Sequence, residues 1–146
     1  MLPSILARRT EMEVAEVADR MPMQAGCIYV APPDQHLVLE GGVVHLTREP
    51  RENGHRPAID PTFRSVAGAY GARSVGVVLS GTRDDGSRGL ATIVAKGGRA
   101  LVQDPERCLY DGMPRSALLA VSDAEVLAVP EIGHRLSELA RREPVA

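Results

Sequence analysis

Residues 75–89 read Val-Gly-Val-Val-Leu-Ser-Gly-Thr-Arg-Asp-Asp-Gly-Ser-Arg-Gly, and no other stretch limits the fold so tightly. Val75 to Leu79 is an apolar run rich in β-branched residues, the length of a strand buried on both faces. Small polar residues, two adjacent carboxylates and two glycines follow, then a helical pattern over 87–96. A buried parallel strand running through a glycine-rich loop into a helix delivers side chains to the carboxyl edge of an α/β sheet, where ligands and chemistry collect. Asp84 and Asp85 stand at that edge.

The rest of the chain fits around this unit. Residues 2–9 read as the tail of a helix with Leu2, Ile5 and Leu6 on one stripe, and 14–17 and 26–31 as short strands. His36 to Glu40 and Val43 to Thr47 form a β-hairpin, because the central Gly41-Gly42 supplies the positive φ angles of a tight primed turn. Residues 48–61 are a polar surface loop. Asp60 is placed to cap the next helix with Pro61 at its first position, and that helix runs to Tyr70, turning Phe63, Val66, Ala67 and Tyr70 inward. A strand at 74–80, a helix ended by Gly97-Gly98, a strand at 100–103, a loop through Arg115, a short helix to Ala120, a strand at 126–129 and a helix from Pro130 to Arg142 complete the order. Strands alternating with helices predict one α/β domain over residues 1–146, with a mostly parallel sheet covered by helices on both faces and an antiparallel hairpin within about 26–47.

Composition removes several functions. The formal net charge of −2 over 146 residues provides no basic field for nucleic acid or an anionic membrane. No Trp and a single Phe leave no stacking platform for single strands. The apolar runs fall far short of the ~18 residues a spanning helix needs. No charged-then-apolar leader opens the chain, so the expected location is the cytoplasm. Cys27 and Cys108 have no partner at metal spacing and read as buried thiols.

The candidate chemistry is acidic. Asp84 and Asp85 can cap the following helix, orient a histidine, act as a base or bind a metal, and the residues alone leave these open. Gly81, Gly86 and Gly89 lack dinucleotide spacing and instead suggest a sharp turn with amides free to face an anion. His36 and His45 read as solvated strand positions, His55 as a surface loop residue and His134 as a helix-face residue, with no metal pair among them. Ser80 sits in no nucleophile elbow and reads as a hydroxyl bonded to backbone.

Four stretches together carry a resemblance: Tyr29-Val-Ala-Pro-Pro-Asp34 with His36, Pro50-Arg-Glu-Asn-Gly-His-Arg-Pro-Ala-Ile-Asp-Pro61 with Phe63-Arg-Ser65, Val77-Val-Leu-Ser-Gly-Thr82 with Asp84-Asp-Gly86, and Gly112-Met-Pro-Arg-Ser-Ala117. In this order, across residues 3–132, they resemble the catalytic domain of chemotaxis protein-glutamate methylesterases of the CheB type. The resemblance implies a doubly wound α/β domain, a serine–histidine–aspartate hydrolase that removes methyl esters from glutamates on chemoreceptor cytoplasmic helices and can deamidate glutamines, with no cofactor. Gly81-Thr-Arg-Asp-Asp-Gly86 matches the family's acid motif, placing the triad acid at Asp85, an oxyanion-donating backbone N–H at Thr82, and Asp84 as a neighbour. The family's serine loop and histidine motif precede the stretch that 2–9 resembles. The expectation is therefore of an N-terminally truncated domain without its first strands, its catalytic serine and histidine, or a receiver domain. Such a chain would act with residues from upstream or from a separate polypeptide, or else serve as a receptor- or partner-binding module.

Overall fold

The structure, a computed structural model, describes residues 2–8 and 10–141. Its elements are α1 (Leu2–Ala7), β1 (Glu13–Ala15), β2 (Met21–Pro22), β3 (Cys27–Tyr29), β4 (His36–Glu40), β5 (Val43–Thr47), α2 (Ile59–Tyr70), β6 (Val75–Val78), α3 (Ser87–Ala95), β7 (Arg99–Gln103), α4 (Gly112–Ala120), β8 (Glu125–Leu127) and α5 (Val129–Ala140). This is the α/β class expected, with the strands falling into three sheets. β1 pairs with β3 in parallel, β2-β5-β4 is antiparallel, and β6-β7-β8 is parallel.

The parallel sheet carries the site. α3 links β6 to β7 and α4 lies between β7 and β8, as parallel neighbours require. Val78, Ala100 and Val102 meet Leu90 of α3 with Ala117 and Val121 from and just beyond α4 in one core cluster. The packing is tight enough to demand glycine at Gly76, where an added Cβ would lie 2.7 Å from Leu90 Cδ1 and 2.8 Å from Ile93 Cδ1. Residues 100–103 of central β7 are buried throughout. β6 differs from expectation: it is an edge strand of its sheet, its burial alternates, and Leu79 beyond its end is 46% exposed. A strand with one neighbour keeps only the face its helices cover.

The hairpin has the expected ends, with His36 opposite Thr47 and Glu40 opposite Val43, and Gly41 and Gly42 at φ +58° and +74°. β2 adds a short strand to the free side of β5, Met21 opposite Val44, where no strand was expected. Pro22 is tolerated there because an edge strand needs no further N–H. Leu37, Leu39 and Val44 pack on Val66 and Tyr70, so α2 lies between this sheet and α3.

Several boundaries move. α2 starts at Ile59, with Asp60 and Pro61 inside its first turn, and Asp60 is not its cap. α4 starts at Gly112, taking in residues expected in a loop. The terminal helix starts at Val129, where the Ala128 N–H donates to Glu131 Oε1 at 3.0 Å. Leu2 and Ile5 of α1 stay exposed, while Leu6 is half-buried and α1 lies against β1, so only part of its apolar stripe is covered. Cys27 and Cys108 are free and half-buried, more open than expected. Arg9 and Arg142 lie outside the described residues.

Candidate functional site

The loop after β6 is fastened to the chain that enters α4. Ser80 Oγ donates to the Tyr110 carbonyl at 3.1 Å and accepts the Tyr110 N–H at 3.0 Å, so its hydroxyl is engaged with backbone as expected. Gly81 donates to the Tyr110 carbonyl and accepts from Met113 N, both at 2.9 Å. These segments touch closely: a Cβ on Gly112 would lie 2.8 Å from Arg83 N, so glycine is needed there, while one on Gly81 would lie 2.5 Å from Sδ of the flexible Met113 side chain. Arg83 turns the loop at φ +69° and Gly86 at φ +96°. Thr82 is exposed on this turn, and its N–H makes no hydrogen bond among the described residues. Asp84 is also exposed, and its carbonyl accepts Ser87 Oγ at 2.8 Å.

Asp85 turns inward and is 4% exposed. Its Oδ2 accepts the Ile59 N–H at 2.8 Å, and its Oδ1 accepts the Asp60 N–H at 3.2 Å and Asn53 Nδ2 at 2.8 Å. It is a capping residue, but of α2 rather than of its own helix α3, whose cap position is Gly86. The free amides and dipole at the α2 N-terminus favour the carboxylate there. A carboxylate has about four acceptor directions, and Asp85 uses three.

A second carboxylate lies behind it. Asp60, 2% exposed, accepts the Gly89 N–H of α3's first turn at 2.7 Å on Oδ1 and Asn53 Nδ2 at 2.7 Å on Oδ2. One amide group thus bridges two buried carboxylates. The approach of α2 to α3 that allows it needs Gly89, whose added Cβ would lie 2.5 Å from Phe63 Cβ.

Asn53 arrives on a tight turn, closed by the Glu52–His55 backbone pair at 2.9 and 3.0 Å, with φ +55° at Asn53 and +80° at Gly54. Ion pairs frame it. Arg64 Nη2 donates to both Glu52 oxygens at 2.9 and 2.7 Å, and that contact holds the guanidinium above its usual range. Arg56 donates twice to Asp34 Oδ1 at 2.9 and 2.8 Å, and this hydrogen bonding, with charge from Arg56, Arg48 and Arg51, holds the Asp34 carboxyl below its usual range.

The histidines divide. His36 is 1% exposed, with Nε2 2.9 Å from the Pro50 carbonyl and Nδ1 accepting the Ala58 N–H at 3.1 Å. That corrects its reading as a solvated strand residue: it pins the 50–58 segment to β4. His45 Nδ1 lies 3.8 Å from Asp19 Oδ1, while His55 and His134 are exposed as expected. No histidine bonds to Asp85 among the described residues, and no cluster of His, Cys, Asp and Glu there could hold a metal ion. Local cues missed His36, Asn53 and Asp60. The only sequence signal for them was that His36 accompanies one of the four resembling stretches and the other two lie within another.

Fold and loop define an α/β protein with a glycine-rich loop at the carboxyl end of β6, the edge at which ligands generally gather in such sheets. A family sequence model described as CheB methylesterase matches residues 1–136. A protein-glutamate methylesterase/protein-glutamine glutaminase of Paramagnetospirillum magneticum is 38% identical over 141 residues, covering 94% of this chain and 37% of its own length. An uncharacterised 104.1 kDa protein of Rhodobacter capsulatus is 39% identical over 143 residues, covering 98% of this chain and 15% of that protein. The crystal structure of the Thermotoga maritima CheB methylesterase catalytic domain superposes with a TM-score of 0.88 at 32% identity, covering 94% of this chain and 75% of that one. The chain belongs to the CheB methylesterase family. It spans well under half the length of these two curated relatives.

Proposed function

We propose that this chain carries the acid and oxyanion side of a protein-glutamate methylesterase site. The observation behind this reading is the buried Asp85, held by three donors with one acceptor direction unused, on the loop that also exposes the Thr82 N–H. In that unused direction Asp85 accepts the Nδ1–H of a histidine, fixing the tautomer in which Nε2 takes the serine proton and stabilising the imidazolium that forms. The serine oxygen attacks the glutamate methyl ester carbonyl, and the Thr82 N–H donates to the resulting oxyanion. Methanol leaves with the proton returned by the histidine, and water then hydrolyses the acyl-enzyme. The same steps on a glutamine amide release ammonia, as the dual name of the Paramagnetospirillum relative suggests. The substrates are chemoreceptor cytoplasmic helices, the compartment is the cytoplasm, and no cofactor is called for. Nucleophile and base come from residues beyond those described, in the same polypeptide or in a partner.

A second reading is favoured by one observation: among the described residues no histidine faces Asp85. On that reading the chain is a receptor- or partner-binding module. Methanol release from methylated receptor separates the two, measured on the chain alone, joined to residues encoded in frame upstream, and with any co-purifying polypeptide. Hydrolysis that appears on such completion and disappears with Asp85→Asn supports the esterase. Receptor binding with no methanol from any combination supports the module.

A further inference from the structure

We propose that Asn53 is a positioning residue, holding Asp85 in one orientation by bracing it against Asp60. The proposal deepens the reading of Asp85 as the triad acid and rests on it. The amide Nδ2 is 2.8 Å from Asp85 Oδ1 and 2.7 Å from Asp60 Oδ2. Only an amide's NH2 side suits two carboxylates, so chemistry settles which way the side chain points. Without that bridge, each of the two buried acceptors would lose one donor.

Each end of the brace is anchored from a different direction. Asp60 is fixed by the Gly89 N–H at 2.7 Å and has no exposed face with which to meet a substrate. Asn53 is fixed by its turn, whose flank Glu52 is clasped by Arg64. The backbone amides of Ile59 and Asp60 hold Asp85 from the α2 side, and Asn53 holds it from the turn. Oδ1 then carries two accepted hydrogen bonds and Oδ2 one, which directs the remaining lone pair of Oδ2 to the histidine. A bond to an ionised acceptor is strong enough for this to matter, about tenfold or more in occupancy of the held orientation.

The alternative is that Asn53 merely closes its turn, and backbone amide exchange on the purified chain distinguishes the two. With Asn53→Ala, bracing predicts at least about tenfold faster exchange at Ile59 and Asp60, the amides that Asp85 accepts, with Leu101 and Val102 of β7 unchanged. Turn closure alone predicts acceleration at Glu52 and His55 with Ile59 and Asp60 untouched, and that result overturns the proposal. If Leu101 and Val102 also accelerate, Asn53→Asp decides. A protonated carboxyl at this position regains one donor, and the two buried carboxylates beside it favour its protonated form, so protection of Ile59 relative to wild type should fall as pH rises from about 4 to about 9. A flat ratio across that range overturns the proposal. In a hydrolysing form of the enzyme, Asn53→Ala lowers kcat about tenfold at unchanged KM. Hydrolysis indifferent to Asp85→Asn overturns instead the reading on which this proposal rests.

Discussion

Asp85 closes the first turn of α2 with two accepted backbone hydrogen bonds, so removing it should weaken the fold as well as any chemistry. Asp85→Ala is expected to lower stability by about 1–3 kcal/mol, because it uncaps Ile59 and Asp60 and leaves Asn53 half-satisfied. Asp85→Asn keeps an acceptor oxygen and should cost less. Urea denaturation checks both, and an Asp85→Ala midpoint equal to wild type would contradict the cap. Gly89→Ala drives a methyl into Phe63 and should cost about 1–3 kcal/mol by the same measurement. At this scale the sequence is informative where a residue acts near its own strand and silent where its partner is distant. Asp85 is visible because a strand end and two glycines announce it. Asp60 misleads because Asp-Pro is ordinary cap chemistry, whereas its true partner, Gly89, lies 29 residues on. His36 misleads because alternation in a strand says which face a side chain takes, not whether Pro50 and Ala58 will cover it.

Elements defined by local chemistry are the ones most legible in the chain. The hairpin is read correctly because Gly41-Gly42 dictates a turn whose twist suits its strands, and turn length then sets the register. Gly41→Asn should therefore be neutral or mildly stabilising, since asparagine accepts the left-handed conformation and stiffens the unfolded chain. Gly42→Val should cost about 1–2 kcal/mol, for a β-branched side chain at φ +74° is strained. Thermal melts of the two variants check this, and equal midpoints would contradict the primed turn. β2 is illegible because two residues carry no periodicity. The one-sided burial of β6 is illegible too, for an apolar run reports what a strand can bury, not how many neighbours it has. The starts of α2 and α4 slip because Pro61 and Pro114 look like boundary residues locally, while each helix begins two residues earlier.

Over the whole molecule, acid should loosen the frame around the site. Arg56 holds the Asp34 carboxyl below its usual range and Arg115 does the same for Asp111. Each contributes stability that is complete above the ordinary carboxylate pKa near about 4 and is lost as pH falls through the lowered value. Urea midpoints should therefore decline below about pH 4, and the decline should be shallower in Asp34→Asn. An identical slope would remove Asp34 from the account. The α/β class was legible from alternating strands and helices, while the assembly of its strands into three sheets was not, because pairing depends on contacts between distant segments. The central claim is that Asp85, not its neighbour Asp84, is the acid of an ester-hydrolysing triad. Methanol release from methylated receptor by a hydrolysing form of the enzyme tests it most directly, comparing Asp85→Asn with Asp84→Asn. The account predicts a kcat loss on the order of 10,000-fold for Asp85→Asn, from the wrong histidine tautomer, and little change for the exposed Asp84→Asn. Equal losses in the two variants, or none in Asp85→Asn, would contradict it.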